Sequence, residues 1–385
     1  MSRTNVMVVF GTRPEAIKMA PIVRELQKRA EYLRTLVVVT AQHRQMLDQV
    51  LELFRIQPDY DLDVMTEGQT LSDVTSKVLR GVEEILGRES IDLVLVQGDT
   101  TTTFAAALAA YYRKIAVGHV EAGLRTRNKY FPFPEEMNRV LTTRLSDIHF
   151  APTEQAETNL LEEGIRKDQI LVTGNTVIDA LLSVVGTANG SRTGLSGRRR
   201  ILVTAHRRES FGEPLEHICR ALLDIVQEHD DVEIVFPVHL NPNVRRTVFG
   251  MLSGHERVHL TDPLAYGEFA EEIFKSHMIL TDSGGIQEEA PSLGKPVLVL
   301  RGETEREEGV RAGTCRLVGS DHGRIVEEVR SLLTDRCAYD AMSQAVNPYG
   351  DGTASVRIAD WIVNEFRPRR ELNQPHGIPS GSLRS

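Results

Sequence analysis

Cysteine is scarce in this chain, and the features that mark disulfide-bonded, metal-binding or membrane proteins are missing with it. The 385 residues include three cysteines, Cys219, Cys315 and Cys337, and none of them forms a CxxC pair. This excludes a disulfide framework and a zinc ribbon, and it favours a reducing compartment. Apolar runs stay well short of the roughly 20 residues that span a bilayer. We therefore expect a cytoplasmic protein with no metal site and no membrane partner.

An excess of positive charge is also absent. Lysine and arginine number 45 against 54 aspartates and glutamates, which gives a formal net charge of −9. That balance argues against nucleic acid as a partner. The chain also lacks GxGxxG and GxxxxGK[ST], so neither dinucleotide binding nor Walker-type ATP binding is indicated. We expect no cofactor.

One apparent metal motif is rejected. Residues 255–259 match HExxH, which binds zinc when it lies on a helix. Gly254 breaks any helix before it, however, and residues 258–261 have the pattern of a strand. On a strand, at about 3.3 Å per residue, His255 and His259 would lie roughly 13 Å apart, too far to share one ion.

What the chain does contain is an alternation of short apolar, β-branched runs with helical segments, which is typical of parallel sheets wrapped by helices. A chain of this length also favours two cores. The predicted strands cover residues 6–10, 36–40, 93–97, 115–119, 149–151 and 170–172 in the first half, and 201–205, 233–237, 258–261, 277–280 and 296–300 in the second. We predict an α/β protein with domains at residues 1–175 and 176–352. A terminal helix at about 353–366 should pack back on the first domain, and residues 367–385 should be disordered.

Two strand-to-helix turns, one in each half, have the pattern of anion sites. They occupy residues 11–15 (GTRPE) and 281–289 (TDSGGIQEE). In each, a strand leads into a glycine-containing turn that opens a helix, whose free N–H groups and dipole suit an anion. Lys18 lies one turn into the first helix and can reach back toward a bound anion.

Acidic residues and a histidine follow strands between these turns. Asp99, Glu121 and His206 lie at carboxyl ends of predicted strands, where open α/β sheets bind ligands. Several of these residues also have purely structural interpretations. Asp99 could cap a helix, His206 could be structural, and Glu135 and its neighbour Glu136 suit a first helical turn. Together the residues indicate a nucleotide diphosphate held between domains beside acid/base groups.

The motifs resemble those of the bacterial non-hydrolysing UDP-N-acetylglucosamine 2-epimerases, from about residue 6 to residue 362. The matching segments are GTRPE at 11–15, TAQHR at 40–44, QGDT at 97–100, VEAGLR at 120–125, PFPEE at 132–136, VTGN at 172–175, HRRE at 206–209 and SGGIQEE at 283–289. The resemblance implies two Rossmann-like, doubly wound domains that face a cleft, as in B-type glycosyltransferases. It also implies a homodimer.

The resemblance further implies roles for particular residues. Asp99, Glu121, Glu135 and His206 would be catalytic, and the substrate-binding residues would be Arg13, Lys18, Phe269, Ser283, Gly284, Gly285, Glu289 and Arg306. Some homologues bind a second UDP-sugar as an activator, and Gln42, Gln45, Arg207 and His239 match that site together with Glu135. Gly68 stands where clearly regulated homologues carry an arginine.

The activity implied is reversible C2 epimerisation of UDP-N-acetylglucosamine to UDP-N-acetylmannosamine, through elimination of UDP to 2-acetamidoglucal and its re-addition. Four alternatives stay open at this point. They are a 2-epimerase of a related UDP-sugar such as UDP-2,3-diacetamido-2,3-dideoxyglucuronate, a UDP-sugar glycosyltransferase, a hydrolysing epimerase and a non-catalytic nucleotide-sugar sensor.

Overall fold

A computed structural model describes residues 3–41, 44–66, 68–186 and 197–366 of the chain. The side chains of residues 44, 45 and 209 are not included in that description. The expectations for Gln42, for the side chain of Gln45 and for the tail at 367–385 therefore lie outside the described residues.

The first half of the described chain forms a seven-stranded parallel sheet in the order β3-β2-β1-β4-β5-β6-β7. Its strands are β1 Thr4–Phe10, β2 Leu33–Val39, β3 Tyr60–Asp61, β4 Leu93–Gln97, β5 Ala116–Val120, β6 Ile148–Ala151 and β7 Ile170–Val172. The order reverses direction between β1 and β4, so the helices that follow these two strands lie on opposite faces of the sheet. Ligands bind beside such a switch point in doubly wound folds.

The second half repeats the scheme in a six-stranded parallel sheet, again counted over described residues, in the order β10-β9-β8-β11-β12-β13. Its strands are β8 Arg199–Thr204, β9 Val232–Pro237, β10 Val258–Thr261, β11 Met278–Thr281, β12 Val297–Val299 and β13 Cys315–Leu317. The switch point here lies between β8 and β11. The two-lobed α/β fold expected from the sequence is confirmed.

Helices connect the strands on both faces of each sheet. Their bounds are α1 Arg13–Lys28, α2 Arg44–Phe54, α3 Leu71–Arg88, α4 Thr101–Tyr112, α5 Glu135–Leu145, α6 Glu154–Glu162, α7 Thr176–Val185, α8 Glu213–Glu228, α9 Pro242–Leu252, α10 Tyr266–Lys275, α11 Gly284–Glu289, α12 Glu307–Arg311, α13 His322–Thr334, α14 Arg336–Ser343 and α15 Ala354–Asn364. Among the described residues, no helix combines the length and the apolar character that crossing a bilayer requires.

Close helix packing explains the alanine-rich α4. Its residues Ala105, Ala106 and Ala109 are fully buried, and the helix contacts both α3 and α5 as well as the sheet. Small side chains let these backbones approach closely. The result fixes the turn that precedes α4, which carries Asp99.

Two helices connect the lobes. Helix α15 places Ile358 and Ile362 in the core of the first sheet, and the ring of Trp361 lies edge-on to Phe150 with 5.8 Å between ring centroids. Helix α7 contributes to that same core but also packs against Ala270 of α10. Because α7 serves both lobes, the division of the chain near residue 175 stays a prediction.

The predicted strands match the observed ones to within three residues at each end, but β3 and β13 were missed. Both are sheet edges, and they contain two and three residues respectively. A run that short has too little period-two alternation to be recognised from sequence. It becomes a strand because a longer neighbour, β2 or β12, supplies hydrogen-bonding partners.

Candidate active site

A buried carboxylate, Glu121, organises the carboxyl edge of the first sheet. It directly follows β5 and adopts a φ of 60°, a left-handed conformation that is strained for a non-glycine residue. Lys18 Nζ donates to both carboxylate oxygens, at 2.6 and 2.7 Å. Asn175 Nδ2 donates to Oε1 at 3.0 Å, and Gln97 also donates to the carboxylate. Such backbone strain persists only where the surroundings hold the residue in place, here through three hydrogen-bond donors. It is typical of functional sites.

These contacts set the ionisation states of Glu121 and Lys18. Burial alone would raise the pKa of Glu121, but the charge and hydrogen bonds of Lys18 outweigh it and lower the pKa. Burial likewise opposes the charge on Lys18, and Glu121 and Glu288 raise its pKa. Both groups are therefore charged at neutral pH.

The network crosses to the second lobe through Asn175. Its amide also donates to Glu288 Oε2 at 2.7 Å, and Glu288 forms an ion pair with Arg306. Burial disfavours the charge on Arg306, but Glu288 and Glu305 raise its pKa. Neither Asn175 nor Glu288 was predicted from the sequence as a site residue. Their only signal was their position in the segments VTGN and SGGIQEE, each at the carboxyl end of a strand.

Asp99 lies next to this network but pairs elsewhere. Its carboxylate forms a partly buried ion pair with Arg139 of α5, and its backbone carbonyl accepts from Asn138 Nδ2 at 3.0 Å. The N-cap of α4 is Thr100, so the interpretation of Asp99 as a cap is wrong. The preceding residue, Gly98, is close to the site: a Cβ there would lie 3.7 Å from Glu121 Oε2.

The adjacent glutamates at the start of α5 have different environments. Glu136 is buried and accepts from the backbone N–H groups of Thr126 and Arg127, so it holds the loop after β5. Glu135 is half-buried and begins the helix. Glu136 is therefore the structural member of the pair, and Glu135 stays a candidate for the site.

The first strand-to-helix turn differs from the expectation that its N–H groups are open to an external anion. Glu15 is 2% exposed, and its Oε2 accepts the N–H groups of Gly11 and Thr12 at 3.0 and 2.7 Å. The turn thus already holds a carboxyl group of the chain itself, and burial raises the pKa of that group. Gly11 also serves packing, since a Cβ there would lie 2.0 Å from Thr40 Oγ1. Arg13 begins α1 with an exposed side chain, and Lys18 pairs with Glu121 instead of reaching back over the turn.

The second turn is organised by a buried aspartate. Asp282, which is 0% exposed, accepts from the backbone N–H groups of His206 and Arg207 at 2.7 and 2.8 Å. His206 Nδ1 lies 3.0 Å from Asp282 Oδ1, and the His206 and His239 rings are stacked with centroids 5.6 Å apart. Burial opposes the charge on Asp282, but the contact with His206 lowers its pKa. This fixes the orientation of the exposed His206 ring beside Ser283 and the glycines that open α11.

Glu289 and Phe269 lie on the elements that flank this turn. Tyr266 Oη donates to Glu289 Oε2 at 3.3 Å. Burial, together with the charge of the neighbouring Glu288, raises the pKa of Glu289 to about 8. Phe269 is half-buried on α10 and packs against the core of the second sheet. A carboxylic acid that stays protonated at neutral pH can donate a hydrogen bond.

The described residues thus bring Lys18, Glu121 and Arg306 into one network that spans both lobes. Gly284, in the turn from Ser283 to Gly285, adjoins this network, because a Cβ there would lie 3.8 Å from Arg306 Cζ. Glu289 lies on the same helix, and the stacked rings of His206 and His239 follow β8 and β9. Of the residues matched to an activator site, Arg207 contacts Glu305 at 2.9 Å and His239 stacks on His206, while Gln42 lies outside the described part of the chain.

Comparisons with known proteins identify the family. Residues 24–363 match the UDP-N-acetylglucosamine 2-epimerase family. A Bacillus subtilis UDP-N-acetylglucosamine 2-epimerase is 56% identical over 373 residues, covering 96% of this chain and 98% of the relative. An Escherichia coli K12 enzyme of the same name is 55% identical over 370 residues, covering 93% and 98%.

A solved structure adds a ligand to the comparison. The Neisseria meningitidis UDP-GlcNAc 2-epimerase, crystallised with UDP-GlcNAc, is 49% identical to this chain and superimposes with a TM-score of 0.83. The match covers 94% of this chain and 100% of the Neisseria chain. Fold and site define a two-lobed α/β protein with the architecture of the B-type glycosyltransferases. The chain belongs to the UDP-N-acetylglucosamine 2-epimerase family.

The buried carboxyl group of Glu15 in the first turn gives a stability prediction. Glu15→Ala removes the acceptor of two backbone N–H groups and of the Thr100 and Thr103 hydroxyls. We expect the free energy of unfolding to fall by about 3 kcal/mol, since buried donors are left unpaired. Urea denaturation measures this. Glu84→Ala, at an exposed surface pair with Arg88, is the control and should change stability by less than about 0.5 kcal/mol. Equal effects of the two substitutions would contradict the assignment.

The raised pKa of Glu289 predicts how stability depends on pH. Between its ordinary value of 4.5 and about 8, the folded state holds a proton that the unfolded state releases. Stability must therefore fall as pH rises through this range, by at most about 1.4 kcal/mol per pH unit from this group. Glu289→Gln removes the titration. The unfolding free energy of the variant minus that of the wild type should therefore become more positive from pH 5 to pH 8. A constant difference would show that Glu289 ionises normally.

Proposed function

We propose that this protein interconverts UDP-N-acetylglucosamine and UDP-N-acetylmannosamine. The observation that carries the proposal is the network of Lys18, Glu121, Asn175, Glu288 and Arg306, which joins acidic and basic groups across the two lobes. Family membership and the substrate named for the Neisseria structure support this substrate class. The chemistry proposed is elimination followed by re-addition.

In the elimination step, a base takes the proton from C2 of the sugar. The C2–H electron pair forms the C1=C2 double bond, and the C1–O bond breaks to release UDP. The re-addition reverses these changes, with the proton delivered to the opposite face of C2. The protein must therefore supply acid/base groups on the sugar and stabilise the charge that develops on the diphosphate.

Glu121 and Asp99 are the groups we assign nearest to the reacting carbon, with Glu135 as a further acid/base candidate. The lowered pKa of Glu121 keeps it ionised, as a base requires. Lys18 balances that charge, and Arg306 also helps to lower the pKa of Glu121. The pairing of Asp99 with Arg139 fixes its orientation through a helix of the same lobe.

We assign the binding of the diphosphate to the second lobe and to Arg13. His206, oriented by Asp282, and the backbone N–H groups at Ser283, Gly284 and Gly285 are suited to the negative charge of the leaving group. Glu289 is suited to bind the ribose hydroxyls, and Phe269 is suited to contact the uracil. Arg207 and His239 would serve an activator site, together with Gln42 and Gln45. The homodimer and the cytoplasmic location stay predictions.

Proton NMR of the purified protein with UDP-N-acetylglucosamine in D2O, without added cofactor, tests the proposed reaction. We expect UDP-N-acetylmannosamine to appear, with deuterium at C2 of both sugars, because the C2 proton exchanges with solvent during each cycle. Release of free N-acetylmannosamine would indicate a hydrolysing epimerase. An unchanged spectrum would contradict the proposal and direct the assay to the diacetamido uronate.

Substitution of the two assigned carboxylates tests their roles. Asp99→Asn and Glu121→Gln should each lower kcat by roughly 100-fold to 10,000-fold, the usual contribution of a general acid or base. UDP binding, measured by calorimetry, should change little because neither group is assigned to the nucleotide. Glu84→Gln, on the exposed face of α3, is the control. A near-normal kcat in either variant would remove that residue from the mechanism.

A further inference from the structure

A cluster of arginines in the second lobe encloses one carboxylate, that of Glu305. Arg207 Nη2 donates to Glu305 Oε1 at 2.9 Å, and Arg301 Nη1 donates to Glu305 Oε2 at 2.7 Å. Each oxygen of the carboxylate therefore has its own guanidinium donor. Guanidinium groups donate such charge-assisted hydrogen bonds to carboxylates and phosphates alike.

The cluster converges on Gly284, the first residue of α11. A Cβ at Gly284 would lie 3.0 Å from Glu305 Oε1 and 3.8 Å from both Arg207 Nη2 and Arg306 Cζ. The missing side chain leaves this space to the carboxylate and the guanidinium groups. The same stretch, Ser283 to Gly285, is the one assigned above to the diphosphate.

The ionisation of Glu305 fits an anion held by cations. Partial burial opposes its charge, but its own backbone N–H and the arginines lower its pKa to about 2. The side chain is still 36% exposed, so it can leave the cluster without crossing a packed core. A diphosphate in the same space would be repelled by the carboxylate of Glu305.

We propose that Glu305 is an internal anion that occupies the diphosphate position and is displaced when the nucleotide binds. This rests on the proposed function, since it takes the diphosphate to lie beside Gly284. While Glu305 lies beside Gly284 it excludes the diphosphate from that space, which lowers the affinity for UDP. Its return to the arginines promotes the release of UDP.

The test compares Glu305→Gln with a matched control, Glu307→Gln. Glu307 lies two residues further along the chain, pairs with Arg311 and has a 67% exposed side chain. Both variants remove one negative charge from the same segment, but only the first removes it from the arginine cluster. Calorimetry measures the Kd of UDP, of uridine and of inorganic pyrophosphate for the wild type and both variants.

The expected result is specific to the phosphates. Glu305→Gln should bind UDP and pyrophosphate about 10-fold more tightly than the wild type, the change expected for two competing, partly exposed ion pairs. Uridine, which has no phosphate, should bind equally well to both proteins. Stopped-flow release of UDP should be slower in Glu305→Gln. The control Glu307→Gln should change each Kd by less than about 2-fold.

Unchanged or weaker UDP binding by Glu305→Gln would overturn the inference, as would an equal gain in Glu307→Gln, which would reflect net charge alone. Glu305→Ala, which removes the hydrogen bonds as well, must give the same direction as Glu305→Gln. A wild type that epimerises its substrate while Glu305→Gln binds UDP normally would reject this inference and leave the proposed function intact. A wild type that neither binds UDP nor epimerises would reject both.

Discussion

The amide of Asn175 is the contact on which the site depends, because it is bonded at once to a carboxylate of each lobe. Its Nδ2 donates to Glu121 at 3.0 Å and to Glu288 at 2.7 Å. The amide supplies both hydrogen atoms of one NH₂ group, so a shift of either lobe must lengthen one of the two bonds. Its backbone N–H also donates to the carbonyl of Tyr349 at 2.6 Å, in the turn that leads to α15. The residue thus links the acid/base group of one lobe, the ion pair of the other and the segment that returns to the first.

Much of the fold could be predicted from sequence, because buried parallel strands have a local signal. β4 is apolar over most of its length and fully buried, and its predicted bounds are the observed ones. The residues of the network were only partly predictable. Glu121 and Lys18 were recognised because one follows a strand and the other follows a glycine turn. Asn175 and Glu288 were not, because their role comes from a contact between residues 113 positions apart. Such a contact has no counterpart in local pattern or spacing.

The first turn shows how a correct local pattern can mislead. GTRPE was interpreted as an empty anion site, yet a glutamate three residues after a threonine is also the pattern of a capping box. The structure has that box, with Thr12 as the N-cap and Glu15 as its partner. Glu15 is 2% exposed and bound by two amides and two hydroxyls, so no external anion can replace it at reasonable cost. Glu305 differs in both respects: its side chain is 36% exposed and its donors are flexible guanidinium groups. Burial therefore distinguishes a structural carboxyl group, that of Glu15, from an exchangeable internal anion.

The charge balance of the cleft constrains what the proposed substrate must do there. Lys18 and Arg306 are balanced by Glu121 and Glu288, so the network is neutral before any ligand enters. A third carboxylate, Glu289, adjoins Glu288 and avoids a net negative charge because its pKa is raised to about 8. Were it ionised, an incoming diphosphate would face one uncompensated negative charge at short range in a partly buried site. The proton on Glu289 thus serves the same end as the displacement of Glu305: both remove a negative charge from the path of an anionic ligand. Because Glu289 loses its proton near pH 8 while the diphosphate keeps its charge, the affinity for UDP must fall as the pH rises through that value.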